Sequence, residues 1–226
     1  NVNQLTQAIN YILLEPNEIP TGFGTNLIIG IILVILTSVV ILGGLQRISK
    51  TVSKLVPAMV ALYFISVIII LIVNFDVVPY YFSSIFTDAF AAENYKGEPM
   101  LGGVLGGLII LGVRRGAFSN EAGIGTATMA HGASKTSEPV REGLVAMLGP
   151  AIDTLIVCTL TALAILVTGI WQTTDVNGVS LTAAAFEDSI PYVGDYLLLL
   201  CISAFSISSL FSFSYYGTKC LSYLAG

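Results

Sequence analysis

The sequence predicts an all-α transmembrane protein with five membrane spans, the third of which is interrupted near its middle. Of the residues, 55% are hydrophobic and 10% are charged, and the mean hydropathy is +0.87, whereas soluble domains carry about 25% charged residues. Several charge-free runs reach the roughly 18 residues that a membrane-spanning helix needs. A polar stretch at residues 112–125 follows a glycine-rich apolar segment. No soluble domain is expected.

The first two predicted spans are charge-free runs at residues 27–45 and 55–75, each long enough to cross about 30 Å of hydrocarbon. A polar loop with three cations, residues 46–54, is expected between them. Pro57 is expected in the first turn of the second helix, where its missing N–H costs little. Residues 4–14, ahead of both spans, are expected to form a short surface helix.

The third predicted span covers residues 101–134 and is broken near residues 114–125. The apolar part, residues 101–113, would be only about 20 Å long as a helix, and residues 101–134 would make one straight helix of about 51 Å. The first length is too short for the membrane core and the second is too long. Two half-helices joined by an unwound, glycine-containing segment near residues 116–125 fit better.

The fourth and fifth predicted spans are residues 143–171 and 196–217. Pro150 and Asp153 interrupt the apolar character of the fourth span. We expect a structural role for Asp153, with its carboxylate bonded to Thr154 or to a neighbouring helix. The fifth span is rich in serine.

The distribution of lysine and arginine predicts the orientation in the membrane. Residues 1–25, 76–100 and 172–195 carry one cation together, whereas residues 46–54, residues 135–142 and the C-terminal end carry six. Because positively charged loops stay in the cytoplasm, we expect a multi-pass protein of the plasma (inner) membrane with its N-terminus outside and its C-terminus in the cytoplasm. An outside N-terminus without a signal peptide is expected where the chain is part of a longer transporter.

The polar stretch in the third span predicts a binding site. Unwound backbone at membrane depth persists only where it is buried in protein or lines a watery cavity, and broken helices of transporters use such backbone to bind substrate and ions. Arg114 and Arg115 would each cost about 2.5–3.5 kcal/mol facing lipid at mid-depth, so they must face water, an acid or carbonyl groups. The alternative is an ordinary cytoplasmic loop after a short re-entrant hairpin.

Each polar residue of the break has two possible roles. Freed N–H groups at the start of a half-helix can bind a negative group and freed C=O groups a positive one, and Gly123 and Gly125 would let the backbone approach closely. Phe118 either forms a wall of a side-chain pocket or faces lipid or the core. Ser119 and Asn120 either bind substrate or ion, or satisfy the broken backbone.

Glu121 is a functional candidate because ionisable residues within a membrane span are costly to keep. It could neutralise nearby cations or pin the break through hydrogen bonds. The structural alternative is an ion pair between Glu121 and Arg114 or Arg115, and the same pair could serve as a gate.

Residues 115–125 read Arg-Gly-Ala-Phe-Ser-Asn-Glu-Ala-Gly-Ile-Gly and resemble the R-G-x-F-S-N-E-A-G-x-G motif of the alanine/glycine–cation symporter family. Further similarity to this family lies in four other segments: residues 43–63, 138–145, 152–159 and 204–217. The sequence departs from the family pattern at two places. Phe213 stands where the family usually has Trp. Residues 126–128 read Thr-Ala-Thr where Ser-Ala-Pro is common. Both departures bear on the shape of the pocket or the cytoplasmic gate.

The resemblance implies a LeuT-type fold of the APC superfamily, built from two inverted five-helix repeats, of which this fragment would cover helices 4–8. The broken span would be helix 6, which forms the substrate site with helix 1. The substrate-binding residues implied on it are Phe118, Ser119, Asn120, Glu121, Ala122, Gly123 and Gly125. Helix 8 would bind a sodium ion through hydroxyls, for which Ser208 and Ser209 are the candidates, Ser209 also contacting substrate. The alternative for both serines is helix packing.

The implied activity is uptake of alanine or glycine into the cell, coupled to sodium, by alternating access. The expected partners are a small neutral amino acid, the lipid bilayer and the N-terminal helices of the parent chain, with no nucleic acid. Sodium is the expected coupling ion and no organic cofactor is expected. A proton-coupled transporter and an ion channel subunit are the alternatives. An enzyme is not expected, because His131 is the sole histidine and the acids are not spaced as a catalytic pair.

Overall fold

The structure is a computed structural model that describes residues 1–90, 101–121 and 123–225. These residues form helices joined by turns. In chain order the helical elements are α1 (Val2–Ile9), a π-helix (Asn10–Leu14), a 3-10 turn (Glu15–Asn17), α2 (Phe23–Ile41), α3 (Gly44–Val73), α4 (Val78–Phe90), α5 (Leu101–Ser119), α6 (Thr126–His131), α7 (Pro139–Ala146), α8 (Leu148–Pro150), a second π-helix (Ala151–Cys158), α9 (Thr159–Thr168), a second 3-10 turn (Ile170–Gln172), α10 (Val179–Ser189) and α11 (Gly194–Ala225).

The chain divides into two compact units. The first unit combines Asn1–Phe75 with Ala164–Gly226, and the second unit is Asp76–Leu163. The interrupted helix therefore belongs to the second unit, whereas the serine-rich helix α11 belongs to the first.

The N-terminal helix packs into the core of the first unit. Leu5 of α1 clusters with Ile29 and Leu33 of α2, and Leu199 and Ile202 of α11 pack against this cluster. The expected short helix at residues 4–14 is present as α1 and the adjoining π-helix, and its apolar side chains recur at helical spacing and form a face that the first unit buries.

Helix α10 packs against α11 and α3 through the fully buried Phe186. The Phe186 ring stacks on the Tyr63 ring with 6.1 Å between centroids. A Cβ atom at Gly194 would lie 2.1 Å from the carbonyl oxygen of Phe186, so only glycine allows α11 to begin there. The Asn74 side-chain amide donates to the Ser189 hydroxyl at 3.2 Å, which joins the ends of α3 and α10.

Four helices of the described chain are long and apolar enough to cross a membrane. They have mean hydropathies of 2.0 to 2.9 and are Phe23–Ile41, Lys50–Val73, Pro139–Thr168 and Gly194–Ala225. Large apolar side chains stay exposed around them, for example Ile28 at 60% and Val34 at 63% on α2. Soluble proteins rarely expose such continuous apolar surface, so an all-helical membrane protein is confirmed.

Helix α3 is longer than predicted. It runs without a break from Gly44 to Val73, so the expected loop at residues 46–54 is helical, and Pro57 lies inside the helix rather than in its first turn. The polar stretch consists mainly of residues that tolerate a helix well, such as Gln, Arg, Lys and Leu. The charged residues at 46–54 therefore belong to a polar first part of α3. They do not mark the start of the helix, which lies at Gly44.

The interruption of the third predicted span begins later than expected. Helix α5 continues through Arg114, Arg115 and Gly116 to Ser119, and α6 begins at Thr126. One glycine inside a helix costs only about 0.5–1 kcal/mol relative to alanine, which is too little to end α5 at Gly116. The Leu101–Ser119 helix is not among the four apolar candidates, so the five-span arrangement stays a prediction.

Candidate functional site

The interruption between α5 and α6 is a set of tight backbone turns. The amide of Asn120 donates to the carbonyl of Gly116 at 3.0 Å and ends α5, and the amide of Ile124 donates to the carbonyl of Glu121 at 3.3 Å. Glu121, Gly123 and Gly125 have φ angles of 53°, 78° and 90°. Three left-handed residues within five positions reverse the chain repeatedly and separate α5 from α6.

Glu121 is held in an unfavourable backbone conformation. The left-handed region costs a residue with a Cβ roughly 1–2 kcal/mol, and such strain persists only where the surroundings fix it. The carboxylate of Glu121 accepts a hydrogen bond from the Thr126 hydroxyl, at the first residue of α6. The Glu121 side chain therefore connects the two sides of the break. A half-buried acid thus lies within the break.

Two residues at the end of α5 bond to the second π-helix. The Ser119 hydroxyl donates to the Asp153 carboxylate. The Asn120 amide donates to the Thr154 hydroxyl at 2.9 Å, and that hydroxyl donates back to the Asn120 carbonyl oxygen at 3.1 Å. The predicted role of Asp153, a bond to a neighbouring helix, is confirmed. The Asn120–Thr154 exchange was not predicted, because a lone threonine in an apolar span is a common packing residue.

The π-helix itself changes which residues face the break. Residues Ala151–Cys158 follow Pro150 and carry one more residue per hydrogen-bonded turn than an α-helix. Such π segments are frequent at functional sites. Here Asp153 and Thr154 are consecutive, yet both reach the end of α5.

The other predicted site residues of this unit are more open. The Phe118 side chain is 76% exposed, and Arg114 and Arg115 are exposed on α5. Within the described residues, neither arginine forms an ion pair with Glu121, so that pair stays a prediction. Ala122 lies outside the described residues.

The segment after the break has a hydrogen-bonded cap and a histidine–carboxylate contact. The Thr128 hydroxyl donates to the Gly125 carbonyl at 2.6 Å. Nδ1 of His131, at the end of α6, lies 2.8 Å from a carboxylate oxygen of Glu142 in α7. This pair joins the two helices across residues 132–138. This contact could not be predicted from sequence spacing, because His131 and Glu142 lie in two separate helices.

The two candidate sodium-binding serines lie in the first unit on α11. Ser208 is 8% exposed, and its hydroxyl donates to the carbonyl of Phe205 at 2.8 Å. Ser209 is half-buried. A serine that donates to its own helix keeps oxygen lone pairs free, which is the ligand chemistry that hard cations prefer.

The arrangement around the break suits binding rather than bond-making. Carboxylate, amide and hydroxyl groups converge there within the second unit. In the part of the chain that the structure describes, no three His, Cys, Asp or Glu side chains are grouped to hold a metal ion. A polar, interrupted helix in a multi-pass helical membrane protein is a feature that transporters use to bind substrates and ions.

Comparison with known proteins identifies the family. The chain matches the sodium:alanine symporter family over residues 1–226, and it belongs to that family. The resemblance that the 115–125 motif predicted is confirmed.

Curated relatives show the same relationship over most of this chain. It is 39% identical to the sodium/alanine symporter AgcS of Methanococcus maripaludis, over 93% of this chain and 46% of that protein. It is 34% identical to the probable sodium/glutamine symporter GlnT of Bacillus subtilis, over 90% of this chain and 42% of that protein. It is 30% identical to the sodium/proton-dependent alanine carrier protein of Bacillus sp. PS3, over 97% of this chain and 53% of that protein. The chain thus spans about half the length of the relatives that it matches.

Proposed function

We propose that the full-length protein takes up a small neutral amino acid, alanine or glycine, into the cell by sodium-coupled symport with alternating access. The observation that carries this proposal is the interrupted helix with Glu121 at its centre, in a chain of the sodium:alanine symporter family. Alanine is favoured because two of the relatives described above carry it in their names. The activity is transport and not enzymatic catalysis.

The break supplies the polar groups of the substrate site. Glu121, Asn120 and Ser119 lie where backbone groups leave the helix, and Gly123 and Gly125 expose main chain without side chains in the way. Phe118 lines the side-chain pocket. Because Asp153 and Thr154 already bond Ser119 and Asn120, they position these side chains and limit how the break can rearrange.

The coupling ion binds at α11 through the hydroxyls of Ser208 and Ser209. Support comes from the burial of Ser208 and from its free lone pairs, and from the word sodium in the family description. The fold of the whole protein is of the LeuT type, with the five spans of this chain as helices 4–8. The protein lies in the plasma membrane with the N-terminal end of this chain outside and the C-terminal end in the cytoplasm.

Uptake by the purified full-length protein in liposomes tests this function. An inward sodium gradient is expected to drive saturable accumulation of labelled alanine, and replacement of external sodium by choline should abolish it. Excess unlabelled glycine should compete with labelled alanine for uptake. Excess glutamine should not compete, which would separate this substrate class from the glutamine in the name of GlnT.

A proton gradient is the second candidate for the driving force, because the PS3 relative is named as sodium/proton-dependent. Alanine accumulation that is driven by an imposed pH gradient in the absence of sodium would identify protons, rather than sodium, as the coupling ion. Alanine flux that never exceeds equilibrium under either gradient would contradict symport and favour a channel.

A further inference from the structure

Every lysine and arginine of the first unit lies at one end of that unit. At the other end, the Asn74 side chain at the end of α3 bonds Ser189, shortly before α11 begins at Gly194. Farther along both helices, the Cys201 sulfur of α11 lies 4.0 Å from the Met59 carbonyl oxygen of α3. Helices α3 and α11 therefore run antiparallel, and the first turns of α3 lie at the same end as the last turns of α11. The basic end consists of Arg47, Lys50 and Lys54 on α3 and Lys219 on α11.

The basic end lies at the depth of lipid headgroups. Lys50 is the first residue of the apolar candidate span Lys50–Val73. At 1.5 Å per residue, Lys50 is about 36 Å along α3 from Asn74, and Lys219 is about 38 Å along α11 from Gly194. The hydrocarbon core is about 30 Å thick and the bilayer with its headgroups about 40–45 Å. A helix that starts at one edge of the core therefore reaches the opposite headgroups at these two lysines.

The three cations of α3 share one helix face. Their spacing of three and then four residues places Arg47, Lys50 and Lys54 within an arc of about 60°, and all three side chains are exposed. Within the described residues, no carboxylate forms an ion pair with any of them. Like charges three or four residues apart destabilise a helix. A bound anion on this face would remove that repulsion.

The acids of the first unit do not compensate the basic end. Residues 42–75 and 196–226 contain no aspartate or glutamate. Glu187 and Asp188 lie near the end of α10, where Ser189 bonds Asn74, and Asp195 lies in the first turn of α11. These three carboxylates are therefore at the opposite end of the helices, so the positive potential of the basic end remains available to an outside partner.

Aromatic side chains accompany the cation on α11. The Lys219 ammonium lies 5.8 Å from the centroid of the Tyr215 ring, and Tyr223, one turn farther on, is 89% exposed. Tyrosine is enriched where membrane-spanning helices meet the aqueous phase, because its ring is apolar and its hydroxyl is polar. The last turns of α11 therefore have the composition of a lipid-contacting interface.

We propose that the basic end binds the phosphate headgroups of anionic phospholipids, with Arg47, Lys50 and Lys54 as the main contacts and Lys219 as a further one. Basic clusters next to a membrane span attract anionic lipids, and arginine and lysine both bind phosphate. Orientation in the membrane needs only the number of cations on each side, whereas a headgroup contact needs them aligned on one exposed face. Acyl chains hold a lipid phosphate at this depth, so the lipid is the partner rather than a soluble phosphate.

Native mass spectrometry of the purified full-length protein tests the proposal. Phosphatidylglycerol and phosphatidylcholine with identical acyl chains are added to the protein in detergent, and the bound lipids are counted at each concentration. Phosphatidylglycerol should bind at least about tenfold more tightly, because its headgroup carries a net negative charge and that of phosphatidylcholine does not. Glycerol phosphate, which has the phosphate without acyl chains, should not displace it at millimolar concentration.

Lys50→Gln should weaken phosphatidylglycerol binding about fivefold, the contribution of one cation near an anionic surface, and Lys50→Arg should retain it. Lys135→Gln is the matched control, since Lys135 is an exposed cation of the second unit. Binding that Lys135→Gln weakens as much as Lys50→Gln does would overturn the assignment to the basic end.

Equal affinity for the two lipids would overturn the proposal, and so would displacement by glycerol phosphate. Should the position-50 variants fail to fold, amine acetylation of the unsubstituted protein makes the same comparison. Phosphatidylglycerol should then slow acetylation of Lys50 and Lys54 more than that of Lys135, as read by peptide mass spectrometry, and equal rates would contradict the contact. Sodium-driven alanine uptake is measured separately, so this proposal and the transport function can fail independently.

Discussion

Glu121 is an acid with a left-handed backbone at the centre of the interrupted helix. Its side chain accepts from the Thr126 hydroxyl, a bond that a neutral amide oxygen can also accept. The fold near the break therefore needs an acceptor at this position, whereas the proposed transport of a sodium ion with a net-neutral amino acid would use the negative charge. The two roles can be separated by a substitution that keeps the shape and removes the charge.

Glu121→Gln is expected to lower sodium-driven alanine uptake at least tenfold, which corresponds to about 1.4 kcal/mol, while the amount of protein in the membrane stays unchanged. The measurements are uptake in liposomes and membrane content by immunoblot. Glu138→Gln, an exposed acid in the same unit, is the control and should transport normally. Near-normal uptake by Glu121→Gln would reduce Glu121 to a structural residue.

Thr154→Val is expected to lower the stability of the protein by about 1–3 kcal/mol, because it leaves both ends of the Asn120 amide without their partner while it keeps the side-chain shape. Thermal unfolding in detergent measures the change. Thr168→Val removes only a bond from the hydroxyl to the helix backbone at Ile165, and it should cost less. Equal effects would show that the Asn120–Thr154 exchange adds nothing specific.

At the scale of the element, glycines on either side of the break have opposite roles. Gly125 has a φ of 90°, whereas Gly116 lies inside α5, and an added Cβ meets no atom within 4 Å at either position. An added methyl group is therefore not crowded at either position. The effect of alanine on stability at each position depends on the backbone conformation alone.

Gly125→Ala is expected to destabilise the protein by about 1–2 kcal/mol, the cost of a left-handed alanine. Gly116→Ala should stabilise it by up to about 1 kcal/mol, since alanine favours the helix. Thermal unfolding of both variants in the same detergent gives the two signs. A stabilising Gly125→Ala would mean that this residue is helical in the working protein and that the break lies elsewhere.

The sequence was sufficient to predict the existence of the break but not its first residue. Length arithmetic required an interruption, and the glycines at 123 and 125 do adopt left-handed angles. Helix α5 nevertheless runs past Arg115 and Gly116, because neither charge nor a single glycine ends a helix. Likewise, Pro57 lies inside α3. Contacts such as Asn120 with Thr154 depend on the register of a π-helix, which local composition does not encode.

At the scale of the whole molecule, the number of crossings decides the side of every later loop. Among the residues that the structure describes, four helices are apolar enough to span, and Leu101–Ser119 is not one of them. If that region did not cross, residues 135–142, with Lys135 and Arg141, would lie outside, and the acidic residues 172–195 would lie in the cytoplasm. Both placements oppose the preference of positive loops for the cytoplasm, which favours five crossings.

Labelling of single introduced thiols in intact cells, with the native cysteines replaced, tests this arrangement. Five crossings predict that Lys135→Cys resists a membrane-impermeant maleimide until the cells are permeabilised, whereas Asp175→Cys reacts at once. Both positions are exposed in the structure, so a lack of reaction reports the membrane side and not burial in the described chain. Lys50→Cys controls for the cytoplasmic side, because it precedes the interrupted helix and stays inside in either arrangement. Immediate labelling at position 135, with protection at position 175, would establish four crossings and place the break on one side of the membrane. A binding site made from that break would then have access to only one side, and alternating access through it would fail.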